Sequence, residues 1–183
     1  MRIIEEENPP PIICVVGLSG SGKTTLLVKL IAELRGRGLK VGSIKHAAHG
    51  FTMDQVGKDS WKHKGAGAAV TISASPNQIG MLMDVDHDYH PDELAPFFQG
   101  MDIVLAEGYK RQDKPKIEVF DPALGKEPIL INDENLIALI SDIPVGSAVP
   151  CFERNGVEGL ADFLIDFLDL DTTFSSQNRK GVP

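Results

Sequence analysis

The sequence predicts an α/β fold: a mainly parallel β-sheet flanked by helices, with one local antiparallel hairpin. Short apolar, β-branched runs alternate with amphipathic helical stretches for most of the chain. The first run passes directly into a glycine-rich turn and then a helix, the order of a βα unit. One later pair of runs is separated only by a short turn holding proline and asparagine, which leaves no room for a crossover helix.

Taken in order, residues 11–17, PIICVVG, are apolar throughout and end in glycine, the pattern of a strand buried on both faces. Residues 22–36 follow as a helix. Leu26, Leu27, Leu30, Ile31 and Leu34 fall on one stripe, with Lys29, Glu33 and Arg35 elsewhere, and Gly36 and Gly38 close it. The segment KVGSIKH at 40–46 is the next strand, which makes the pair a right-handed crossover. Helices are expected at 57–66, 91–99 and 157–169. Strands are expected in AAVTISA, IGMLMDV, MDIVLAEG, KIEVF and LIALISD, the first two joined through Pro76 and Asn77 as the hairpin.

A chain of 183 residues suits one domain, expected over 11–170. Residues 1–10, acidic with prolines, and 171–183, without apolar periodicity, are expected to be flexible. With 42% hydrophobic and 24% charged residues the composition is that of a soluble protein. No apolar run approaches the ~20 residues of a membrane helix, so no membrane partner is expected. The stretch MRIIEEENPP carries acids where an export signal carries bases, which points to the cytoplasm. A net charge of -8 argues against nucleic acid as a partner, so an anionic ligand must be gripped locally. Cys14 and Cys151 each sit in an apolar run and are expected as buried, reduced thiols.

The sharpest chemical signal lies at the first strand-to-helix junction. Gly17, Leu18, Ser19, Gly20, Ser21, Gly22, Lys23 and Thr24 match G-x-x-x-x-G-K-[ST] at every position, with the strand before and the helix after that this motif requires. Glycines let the backbone curl so that successive N–H groups point inward, the helix start adds partial positive charge, and Lys23 adds a full one. Phosphate oxygens fit that cradle. The pattern is a P-loop and the expected fold a P-loop NTPase fold. Thr24 is placed to ligate Mg²⁺ through its hydroxyl, and Thr25 to reach an inner phosphate. Such a site needs a carboxylate at the end of a neighbouring strand. Glu107 closes MDIVLAEG at the carboxyl edge and is the candidate, acting directly or through water; its plainer role is a solvated strand end. Asp102 opens the same strand at the wrong end and reads as a turn residue.

Two histidines, His46 and His49, follow the second strand in IKHAAHGF. His46 falls at the carboxyl edge, beside the phosphate site, while His63, His87 and His90 are scattered and no Cys-x-x-Cys is present, which disfavours structural zinc. The run GFTMDQVGKDSW has switch-loop character through Asp54, Gly57, Lys58 and Asp59; either aspartate also suits a helix cap.

Together, GLSGSGKTTLL, GSIKHAAHGFTMDQVGKDS, KGAGA, LAEGYK, KIEVF and LISDIP resemble, in order and spacing, the molybdopterin-guanine dinucleotide biosynthesis protein B family across about residues 11–170. That resemblance implies a GTP-binding homodimeric adaptor with weak hydrolysis, assisting a molybdenum cofactor guanylyltransferase, with molybdopterin itself a candidate ligand. By position, residues Gly17 to Thr25 would grip the phosphates, His46, Asp54 and Lys58 would line the loop beside them, and Glu107 would serve magnesium. Trp61 and the N-terminal ten residues depart from the family pattern.

The Asn-Lys-x-Asp signature of guanine readers is absent, but Ser141 and Asp142 stand in the corresponding place. Asp142 there has two roles open to it: accepting guanine N–H groups, or turning the chain before Pro144. No residue stands out to drive hydrolysis; Gln55 and Arg111 are the candidates, each with solvation as its plain role. Lys110, Lys114 and Lys116 form a basic run suited to solvent, to a pterin phosphate or to a partner. Two alternatives remain beside the adaptor. A small-molecule kinase shares the P-loop but calls for lid arginines, and only Arg111 and Arg154 occur in the later body. A metallochaperone GTPase calls for histidine tracts or cysteine pairs.

Overall fold

The computed structural model describes residues 9–125 and 127–172, so the expectations for 1–8 and 173–183 concern residues outside that description. In chain order the elements are β1 (Ile12–Val16), α1 (Lys23–Gly36), β2 (Val41–Lys45), α2 (Asp59–Gly65), β3 (Val70–Ala74), β4 (Ile79–Met83), α3 (Pro91–Leu94), β5 (Ile103–Glu107), β6 (Lys116–Val119), β7 (Leu136–Ile140), β8 (Cys151–Phe152) and α4 (Val157–Leu168). They fall into two compact units, one of residues up to His46 with those from His90 onward, the other Ala47–Tyr89.

The first unit holds a sheet of order β2-β5-β1-β6-β7-β8, with every neighbouring pair parallel. β1 is buried along its whole length because its alternate residues feed two cores. Ile13 and Val15 pack with Leu26, Leu30 and Leu34 of α1 and Leu160 and Leu164 of α4. Ile12, Cys14 and Val16 face the opposite layer with Val104, Ala106, Ala95 and Tyr109. Two buried faces leave no polar position, which is why PIICVV shows no alternation. Burial pushes the Cys14 thiol up to about 11, with nearby Lys116 and Lys114 opposing, so it stays protonated at neutral pH.

Four expectations are corrected. The helix expected at 91–99 stops at Leu94 and continues as a 3-10 turn over Ala95–Phe98. Pro96 lies just past the break, and with no N–H it cannot extend the α-helical ladder. The turn still delivers Phe98 onto Gly42, where a Cβ would come within 2.5 Å of the ring. A two-residue edge strand, β8, pairs with β7 and carries Cys151, which is exposed rather than buried. At the rim of the sheet only one side of that strand is covered. The cap of α2 is Lys58, with no side-chain bond, rather than Asp54 or Asp59. The basic run is not an open patch either: Lys114 pairs with Asp92 at 2.5 Å, and Lys116, 2% exposed within β6, pairs with Asp133 at 3.1 Å.

The second unit contains α2 and the antiparallel hairpin β3–β4, turned at Pro76 and Asn77 and closed by the Ser75 N–H to the Gln78 carbonyl. Its register pairs Val70 with Met83, Ile72 with Met81 and Ala74 with Ile79, so one face is wholly apolar, and all but Ala74 of these are exposed large hydrophobics. The opposite face carries Thr71, Ser73 and Leu82, which with Asp54 and Ser60 line a cleft of about 430 Å³. No helix among the described residues is long and apolar enough to cross a membrane.

Candidate nucleotide-binding site

The loop between β1 and α1 takes its shape from backbone demands that glycine meets. Gly17 has φ 142, and a Cβ there would sit 2.4 Å from the Val119 carbonyl oxygen and 2.8 Å from Ser21 Oγ. No side chain fits that gap. Gly20 and Gly22 are also left-handed, and Gly22 leads into α1 without a side-chain cap, leaving the first helical N–H groups directed at the loop. Ser19, Thr24 and Thr25 are exposed along this rim, whereas Ser21 is fully buried and its hydroxyl has no hydrogen-bond partner among the described residues. Lys23 folds over the curl, its ammonium donating to the Gly17 carbonyl at 3.1 Å and to that of Leu18 at 2.7 Å.

Glu107 reaches this loop because β5 runs parallel beside β1, with Val15 opposite Glu107. Its Oε2 accepts from the Thr24 hydroxyl at 2.8 Å, and its Oε1 lies 3.6 Å from Lys45 Nζ. A hydroxyl and a carboxylate so placed are hard oxygen donors of the kind Mg²⁺ prefers, and the pair fits the ion. Immediately after Glu107 the chain turns sharply through Gly108, φ 111, and Tyr109, φ 57. A Cβ on Gly108 would approach that of His46 to 3.0 Å, and the Tyr109 ring stacks on His46 at 4.3 Å. His46 thus sits on the sheet edge in the first unit, as expected. A bulky residue in the left-handed region costs about 1–2 kcal/mol, so the Tyr109 bend is held by its surroundings.

On the other side of the loop, a cavity of about 250 Å³ is lined by Gly22, Thr25, Leu26, Lys29, Asp142 and Arg154 among others. Asp142 is engaged by Arg154: its Oδ1 accepts the Arg154 backbone N–H at 3.0 Å and its Oδ2 lies 3.2 Å from the guanidinium Nε. The same guanidinium reaches Asp121 at 3.1 Å and the Phe120 carbonyl at 3.2 Å. The Ala123 N–H and the Arg154 charge hold the Asp121 carboxyl below its ordinary range.

Asp54 and Lys58, with His49, belong to the second unit. Asp54 Oδ1 accepts from the Ser60 hydroxyl at 3.1 Å and from the Gln55 N–H at 2.8 Å, and Lys58 is exposed at the head of α2. Gln55 and Arg111 are both exposed. Asp102 is more than a turn residue: its carboxylate accepts the Lys40 N–H at 2.6 Å and fastens the start of β5 to that of β2. Tyr109 and Arg154 were not legible as site residues. Tyr109 lies inside EGYK without carrying a charge or metal-ligand signal, and Arg154 follows a strand too short to announce itself.

Comparison with known proteins places these features in a lineage. The family model described as molybdopterin guanine dinucleotide synthesis protein B matches residues 12–142. The molybdopterin-guanine dinucleotide biosynthesis adapter protein of Escherichia coli (strain K12) is 37% identical over 166 residues, 86% of this chain and 93% of that protein. The protein of the same name from Haemophilus influenzae is 35% identical over 169 residues, 91% of this chain and 94% of that protein. The crystal structure of Bacillus subtilis MobB shares the fold, with a TM-score of 0.69 at 24% identity over 88% of this chain and 98% of that one. The matched segment runs from β1 through the loop, Glu107 and Tyr109 to Asp142, and the chain belongs to the molybdopterin guanine dinucleotide synthesis protein B family.

Proposed function

We propose that this protein binds GTP with Mg²⁺ at the loop from Gly17 to Thr25 and works as a homodimer, presenting that state to a guanylyltransferase that completes the molybdenum cofactor. Its role as an adaptor in molybdopterin guanine dinucleotide biosynthesis follows from relatives of that name aligned over most of both chains. The observation that carries the nucleotide reading is the Thr24–Glu107 hydrogen bond at 2.8 Å, which brings a P-loop hydroxyl and the end of a neighbouring strand to one point. Magnesium bound there would neutralise the outer phosphates; the chain's own part is to hold those two oxygens and to close Lys23 onto the loop. The buried Ser21 hydroxyl supports an anion-bound loop, because an unsatisfied buried donor costs about 1–3 kcal/mol that rearrangement around phosphate relieves.

Weak hydrolysis agrees with the exposure of both residues that could drive it, Gln55 and Arg111. The uncovered apolar face of the hairpin favours a second copy as its cover, since two strands with one bare apolar face are marginal alone. Titration calorimetry with magnesium is the test. GTP is expected to bind more tightly than ATP, and Lys23→Ala to abolish binding; equal affinity for the two nucleotides would remove the guanine assignment. The adaptor reading is checked by adding the protein to a guanylyltransferase with molybdopterin, GTP and magnesium, where more active cofactor is expected.

A further inference from the structure

Resting on the GTP reading above, one residue outside every motif in the chain stands out at the cavity beside the loop. Arg154 follows β8, yet its guanidinium joins the ends of two other strands: Asp121 and the Phe120 carbonyl after β6, and Asp142 after β7. Its own backbone N–H takes the second oxygen of Asp142. The cavity that Arg154 and Asp142 line also touches Gly22 and Thr25, where the phosphate loop becomes α1, so a nucleotide whose phosphates fill the loop carries its base toward this wall.

We propose that Arg154 is the positioning residue for base selection, holding the Asp142 carboxylate at the cavity wall so that its remaining lone pairs accept the two adjacent N–H donors of a guanine edge. A carboxylate has about four lone-pair sites; the Arg154 backbone N–H occupies one on Oδ1, while Nε stands 3.2 Å from Oδ2 as an ion pair without a hydrogen bond, which leaves both oxygens able to accept from a ligand. Adenine presents an acceptor where guanine presents a donor, so it meets a fixed acceptor with an acceptor. Nor does the guanidinium serve as a phosphate ligand. Carboxylates at 3.1 and 3.2 Å already balance its charge, and its Nη2 also donates to the Phe120 carbonyl. A lysine, with a compact head, cannot bridge the same three partners.

Binding of Mg-GTP, Mg-ATP, Mg-xanthosine triphosphate and Mg-tripolyphosphate is measured for the wild type, Arg154→Lys and Asp142→Asn. Arg154→Lys is expected to reduce the GTP-over-ATP preference about tenfold while tripolyphosphate affinity, which reports an intact loop, stays unchanged. Asp142→Asn is close in shape and is expected to shift preference toward the xanthine base, whose carbonyl an amide N–H can meet. Loss of tripolyphosphate binding in a folded Arg154→Lys protein would make Arg154 a phosphate ligand and overturn the proposal, as would an unchanged preference. Should Arg154→Lys fail to fold, Asp142→Asn decides: no shift toward xanthosine triphosphate overturns it. A wild type that does not distinguish GTP from ATP would instead sink the guanine reading itself, and this inference with it.

Discussion

Lys116 shows how one residue's sequence neighbours mislead about its surroundings. It stands in a lysine-rich stretch, yet it lies inside β6 with its ammonium 3.1 Å from Asp133. Burial raises the Asp133 carboxyl, but the Asn135 N–H and the Lys116 charge outweigh it and hold the group below its ordinary range. Removing the acid alone strands a buried cation. Asp133→Ala is therefore expected to cost about 3–5 kcal/mol in urea unfolding at pH 7. The sign with pH follows from the lowered folded-state value. The stabilisation is complete above the unfolded carboxyl range of about 4 and fades as pH falls through the folded value, so wild type and variant should converge in acid. Gly17 makes the complementary point: its necessity was legible from the motif, but the Val119 carbonyl that enforces it was not.

Among the elements, α1 and α4 were legible almost to their ends, because each shows an apolar stripe at helical spacing. That they lie side by side was not. Arg37, just beyond α1, donates to Glu33, to Asp162 of α4 and to the Glu158 carbonyl. Asp162 is largely solvated, so the bridge contributes modestly; Arg37→Ala is expected to lower stability by about 1 kcal/mol, read as a shift in urea midpoint at unchanged slope. The failures at this scale have local causes. Pro96 divides a stretch whose apolar spacing looks helical, and β8, with two residues, has no period to detect. Neither mistake concealed the loop, yet missing β8 also hid Arg154.

For the whole molecule, the hairpin's bare face is the feature that calls for a partner. Ile72→Asp with Ile79→Asp places charge on that face and changes no residue of the phosphate loop. Sedimentation equilibrium is expected to show the wild type as a dimer and this variant as a monomer with GTP affinity unchanged; a wild-type monomer across micromolar concentrations would refute the homodimer. By itself the sequence determined the parallel sheet, the hairpin, the P-loop and the acid at the end of β5, because each is written in periodicity or in a spacing that a few adjacent residues must satisfy. Only the tertiary structure decided that Thr24 meets Glu107, that Tyr109 supports His46, that Lys116 is buried, and that Arg154 gathers Asp121 and Asp142. Those contacts join residues far apart in the chain, and strand order, which no local pattern encodes, sets which of them become neighbours.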